Sequence, residues 1–290
     1  MVNKLKIRKL YTEKELANLQ EKTEMYLKKN LDEEDYRMTA FYSLDLAHIL
    51  EILHEEKSTN QFILTIKYAQ KVEKPLYRII IECLCYLGKF QEAFTLSLKD
   101  PYYNPLKQAY LYEKIGQKEN AQNIYKRLVA EKKKKAQDEI KLFKIHIFQD
   151  ISDIWGKLGN EKESQKFNKC AIEEWNKIKN SLYFHYPIEK AWLFEEIGYI
   201  FGKSRLFEKA LECYSISKET YTLAYSKDHL DSSESLQEYS QWDMHYREYF
   251  FTQLFPDFNV MGFLVETYKD RDFKRITYRI LNLEEKMKSE

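Results

Sequence analysis

Histidine and cysteine are the side chains best suited to hold a metal or carry a nucleophile, and their spacing in this chain favours neither role. The six histidines lie at positions 48, 54, 146, 185, 229 and 245. His48 and His54 are six apart, off a single helical face, and no HExxH run occurs. His146 shares a helix face with Asp150 and Asp153, a partial ligand set that reads more simply as the polar wall of a groove. Cys83 and Cys85 diverge on a helix; with Cys170 and Cys213 they read as reduced thiols of a cytoplasmic protein. GxGxxG, P-loop and GxSxG motifs are absent, so phosphate cradles and serine hydrolase chemistry lack their backbone elements. No Arg is followed five to seven residues later by His, an arrangement of helical ribonucleases. The sequence therefore supports no catalytic residue, no metal and no cofactor, and a helical subunit of an enzyme or nuclease complex is its weakest reading.

What must position any functional side chain is helix. With 7 Gly and 5 Pro in 290 residues, turn chemistry for a many-stranded protein is lacking. Apolar residues recur at helical spacing, as in Met38, Phe41, Tyr42, Leu46, Ile49, Leu50 and Leu53. Breaks fall at Lys74-Pro75, Asp100-Pro101, Gly116, Gly159, Tyr186-Pro187 and Lys203 to Arg205, giving an all-α chain of about 12–14 helices. Lys132 to Lys135 read as a solvated helix end after a helix closing near Glu131. Lys+Arg 47 against Asp+Glu 46 disfavours a nucleic-acid partner. No apolar run is long enough to span a membrane, and the basic start MVNKLKIRKL lacks the apolar stretch of a secretory signal.

Aligning the breaks brings out a repeat. Ala191 to Ser217 places Phe194, Ile197-Gly198, Phe201, Phe207, Ala210 and Tyr214 so that small residues meet where two helices cross and large ones fill the gaps beside them. Weaker copies run from Tyr102 to Val129 (Ala109, Tyr112, Gly116, Ala121, Tyr125), Ile145 to Ile172 (Phe148, Ser152, Trp155, Gly159, Ser164) and Lys74 to Pro101 (Tyr77, Ile80, Leu84, Gly88, Ala93). A terminal copy would use Leu264, Asp270 to Phe273 and Ile280. The small second-helix positions 93, 121, 164 and 210 are unevenly spaced, whereas the usual period is about 34.

These segments resemble the tetratricopeptide repeat family over residues 74–226, in an irregular, long-repeat form. The resemblance implies a right-handed α-solenoid of antiparallel helix hairpins. Residues 1–73 would be a divergent repeat or cap, and 227–290 capping helices or a further divergent repeat. It also implies a concave groove, lined by the first helix of each hairpin, that binds a peptide or helix of a protein partner. The groove slots would be Tyr103, Leu106, Lys107, Tyr110, Glu113 and Lys114 in one copy. They would be His146, Gln149, Asp150, Asp153 and Lys157 in the next, and Trp192, Glu195, Glu196, Tyr199 and Lys203 in the best. The slots that hold Asn in carboxylate-clamping members are Lys107, Asp150 and Glu196; two acids would repel a carboxylate, so a neutral or basic segment with apolar anchors is expected. Lengthened repeats are also similar to peptide-sensing regulators of Gram-positive bacteria, an alternative in which ligand changes the shape of the solenoid; Lys4 to Asn30 shows no DNA-binding helix-turn-helix. The aromatic-rich stretch Trp242, Tyr246, Tyr249, Phe250, Phe251 and Phe255 would cover the end of the array itself, or form a homodimer face.

Overall fold

The computed structural model describes residues 10–53, 55–139, 141–180, 187–225 and 268–289. Over these residues the protein is all-α, with twelve helices and no strand. They are α1 (Glu13–Asp32), α2 (Tyr36–Leu53), α3 (Glu55–Lys71), α4 (Tyr77–Tyr86), α5 (Phe90–Ser97), α6 (Pro105–Lys114), α7 (Lys118–Asp138), α8 (Lys141–Lys157), α9 (Glu161–Ile178), α10 (Pro187–Lys203), α11 (Phe207–Ala224) and α12 (Tyr268–Ser289). Local chemistry starts several of them. The Thr12 hydroxyl accepts the Glu15 N–H while the Glu15 carboxylate accepts the Thr12 N–H, a reciprocal cap on α1. Asn104 caps α6 ahead of Pro105, and Asn160 accepts the Glu163 N–H at the start of α9.

Hairpins keep one constant that the uneven period hides. The buried pairs Ile81/Ala93, Ala109/Ala121, Ser152/Ser164 and Gly198/Ala210 each span the same interval along the chain. The contact is direct in two of them: the Ser152 and Ser164 hydroxyls hydrogen-bond at 3.0 Å, and a Cβ on Gly198 would sit 3.2 Å from the Ala210 carbonyl. At a fixed distance beyond each first-helix position the backbone turns left-handed, at Gly88 (φ 73°), Gly116 (φ 83°), Gly159 (φ 72°) and Arg205 (φ 59°). Three of the four use the residue without a Cβ penalty there; Arg205 carries the strain. A Cβ at Gly159 would meet nothing within 4 Å, so Gly159→Ala has only a conformational cost, expected at about 1 kcal/mol in chemical denaturation.

The described residues form two compact units, divided between Ile124 and Tyr125 inside α7. In the first unit, Ala40, Leu44 and Ala47 of α2 share one core with Phe62 of α3 and the run Ile79 to Ile81 of α4. Helices α2 and α3 are thus part of the same packing as α4 and α5. In the second unit, α8 to α11 are joined by α12, whose Ile276 and Leu283 enter a core with Trp192, Ile197, Phe201 and Tyr214. Leu283 comes close enough that a Cβ on Gly202 would lie 2.9 Å from it.

The lysine run lies within a helix and does not end one. Helix α7 continues to Asp138 instead of closing near Glu131, because Lys and Ala are good helix formers and no Gly or Pro interrupts them. Lys132 is drawn onto Asp150 at 2.6 Å, and Lys133 lies over the rings of Trp155 and Phe167, so two of the four lysines pack on other helices. The expectations for His54, His185, His229, His245, Leu264 and the aromatic stretch 242–255 lie outside the described residues.

Candidate interaction face

In the first unit, the expected slots of α6 form a stripe. Tyr103 and Lys107 are half-buried, Tyr110 is 37% exposed, and Lys114 is exposed. Phe90 of α5 meets Tyr110 edge to face with centroids 6.4 Å apart. The Lys114 ammonium lies over both rings, 5.3 Å from Tyr110 and 5.7 Å from Phe90. Aromatic area beside unsheathed cations is the composition of a recognition surface.

A second polar cluster in this unit was not singled out from sequence. His48 of α2 is fully buried, wedged edge-on between Phe62 and Tyr86, with Glu82 of α4 at 3.4 Å and Glu51 at 3.9 Å. Burial opposes its charge, but Glu51 and Glu82 outweigh it and raise the imidazole to about 9. Burial also raises the Asp45 carboxyl to about 8, with His48 pulling the other way. Both groups hold protons in the folded state that they would release when unfolded, at about 6.5 for His and 4 for Asp. Their contribution is therefore complete at low pH and is lost as pH rises through about 8 to 9. Stability measured by urea denaturation should fall from pH 7 to 9.5, and His48→Gln or Asp45→Asn should flatten that slope; an unchanged slope in both variants would remove the assignment.

In the second unit the expected slots face inward. On α8, His146, Gln149 and Asp150 are buried, and burial pushes the His146 imidazole down to about 4, so it is neutral. Asp150 pairs with Lys132 and Asp153 with Lys203, while Lys157 is exposed. Burial, with Lys286 nearby, lowers the Lys203 amine to about 8. On α10, Trp192 and Glu196 are each 6% exposed, Glu195 is 1% exposed and Tyr199 is half-buried.

What covers α10 is α12. Arg275 forks onto Glu195 with two 2.7 Å bonds and donates a third to Asp272 at 2.7 Å. Arg279 donates to Glu196 and to the Glu195 carbonyl, at 2.8 and 3.0 Å, and its guanidinium lies over the Tyr199 ring. The Tyr221 hydroxyl of α11 donates to Glu195 at 2.8 Å, and Tyr225 donates to Asp272. Burial works against the Glu195 charge, yet the two guanidiniums hold its carboxyl below the usual range. Opening this face to a partner would require displacing Arg275 and Arg279, so Trp192, Glu195 and Glu196 are packing and ion-pairing residues in this arrangement rather than an open groove wall.

No protein-family model matches the chain, and neither does any curated protein. A crystal structure of BtubC (BKLC) from P. vanneervenii aligns with 96% of this chain and 92% of that one, at 12% identity and a TM-score of 0.27. A likeness that weak carries no argument.

No trio of His, Cys, Asp or Glu among the described residues is arranged to hold a metal ion. The four thiols are unbridged, and burial pushes Cys85 and Cys213 up to about 12, far from the thiolate that nucleophilic chemistry needs. No described helix is long and apolar enough to cross a membrane.

Two sets of residues escaped the sequence reading. His48 and Glu82 were one usual repeat length apart, a signal that they occupy equivalent places on successive first helices. Asp272, Arg275 and Arg279 repeat at helical spacing, but a charged stripe reads by default as a solvated face.

Proposed function

We propose that this chain is a non-enzymatic interaction scaffold of tetratricopeptide-like hairpins, a cytoplasmic right-handed α-solenoid that holds a peptide or helix of a protein partner against a first-helix face. The observation that carries this reading is the contrast between slots: those of α6 keep Tyr110 and Lys114 exposed, whereas Asp150, Asp153 and Glu196 in the slots of α8 and α10 are paired with the chain's own Lys132, Lys203 and Arg279. The partner-binding stretch is accordingly Tyr103, Lys107, Tyr110 and Lys114, with Phe90 beside it. Apolar anchoring on the two rings supplies affinity, and the lysines set register.

Tyr110→Ala should weaken capture of the native partner about thirtyfold, as loss of an aromatic hot spot does. Its folding stability should shift by only about 1 kcal/mol, since the side chain is 37% exposed and its ring contacts to Phe90 and Lys114 are weak ones. Affinity capture from the source cells with quantitative mass spectrometry, alongside thermal denaturation, measures both. Equal capture by wild type and variant removes α6 from the reading.

A further inference from the structure

The charges that remain unanswered on the first-helix faces say what the occupant of α6 must bring. We propose that it is an acidic amphipathic helix of a protein partner, presenting side-chain carboxylates to Lys107 and Lys114 around an apolar residue seated on Tyr110 and Phe90. This rests on the scaffold reading above and narrows it to one chemistry.

Each acid that from sequence would have selected a basic segment is already engaged within the chain. Asp150 is held by Lys132, Asp153 by Lys203, and Glu196 by Arg279, while Glu195 is shared by Arg275 and Arg279. In the first unit, Glu82 lies near Lys107 but faces the cationic His48 imidazole. Lys107 and Lys114, by contrast, form no ion pair among the described residues, and the Lys114 ammonium is placed against two ring faces that attract it but supply no countercharge. Glu113 is the one exposed acid beside them on α6. The electrostatic preference expected from the sequence is thereby reversed: accessible charge on this stripe is cationic.

Geometry selects a helix. Lys107 and Lys114 stand two turns apart on α6, about 10.5 Å along its axis, with Tyr110 between them. Carboxylates seven residues apart on a second helix, with a Leu or Phe midway, repeat that spacing and bring the apolar residue onto the rings. Helix α12 shows the chain seating a helix on one of its own hairpins by comparable means, with Arg275 and Arg279 on the acids of α10 and Phe273 against Tyr221 and Tyr225. The recognition is of side-chain carboxylates and has no need of a chain terminus.

The test uses the full chain and two labelled, alanine-based helical peptides. One carries Glu at two positions seven apart with Leu and Phe between; the other carries Lys at those positions. Both are made with an amidated and with a free C-terminus, and fluorescence anisotropy is read at low and physiological salt. The acidic amidated peptide should bind, weaken as salt rises, and lose about tenfold in affinity to Lys107→Glu/Lys114→Glu. Lys162→Glu, on an exposed position of α9, should leave the affinity unchanged. Equal or tighter binding of the basic peptide overturns the acidic assignment while sparing α6 as a binding face, provided Tyr110→Ala weakens it. Binding that needs the free C-terminus overturns side-chain recognition. Failure of both peptides to bind overturns the proposal, and native partner capture lost in Tyr110→Ala would then keep the scaffold reading separate.

Discussion

Replacing Arg275 with Met should lower folding stability by about 3–5 kcal/mol, with α12 losing amide protection first. The guanidinium is 3% exposed and answers two carboxylates, Glu195 and Asp272, that are themselves buried. Methionine keeps much of the side-chain volume, so the deficit comes from charge: two acids would remain in an apolar interior with only Arg279 nearby. Each can relieve the penalty by taking up a proton, which makes a second signature. The variant should lose its deficit progressively as pH falls toward 4, the reverse of wild type, where the depressed Glu195 carboxyl contributes stability above the unfolded value and loses it on acidification. Adding Glu195→Gln to Arg275→Met should restore part of the loss at neutral pH. Urea denaturation at pH 7 and 5, with hydrogen exchange resolved to α12, measures all of this. A deficit below about 1 kcal/mol would mean that the network is solvated in solution.

Gly198→Ala should be destabilising by about 1–3 kcal/mol even though alanine is the better helix former. A Cβ there would lie 2.7 Å from two atoms of the Tyr214 ring and 3.2 Å from the Ala210 carbonyl, and that ring is 2% exposed with no room to retreat. The propensity gain of roughly 1 kcal/mol is smaller than the overpacking cost. Gly156→Ala is the control. It lies in α8, where a Cβ would meet only the Ser164 hydroxyl at 3.9 Å, so the propensity gain stands alone and the variant should be stabilised by up to about 1 kcal/mol. Opposite signs for one substitution at two helical glycines, read by thermal and urea denaturation, would locate the close contact at the α10–α11 crossing. Matching signs would dismiss it.

The hairpins were legible because their determinants are local. A small residue must sit where two helices cross, and a turn must follow at a set distance; Gly88, Gly116 and Gly159 announce both. The end of α7 was not legible, since a lysine run looks like a solvated terminus until Asp150 is seen to receive Lys132. Residue types at the α6 stripe were readable, and so was their shared face. The fate of the α10 acids was not. Glu195 and Arg275 lie eighty positions apart, and nothing near either marks a partner. Charge signs read from sequence pointed to a neutral or basic ligand, and the fold adds which of those charges are paired within the chain.

The constant interval inside each hairpin, set against a drifting interval between hairpins, has a consequence for how such chains are detected and altered. A profile that assumes one repeat length averages the crossing and turn positions out of phase after the first copy. A search that fixes the pair of crossing positions and the left-handed turn, and lets the spacer float, keeps them in phase. The same asymmetry says where length changes are tolerated. Whole turns added where one hairpin passes to the next leave every crossing intact, whereas one residue inserted between Gly198 and Ala210 rotates the second helix and removes the contact.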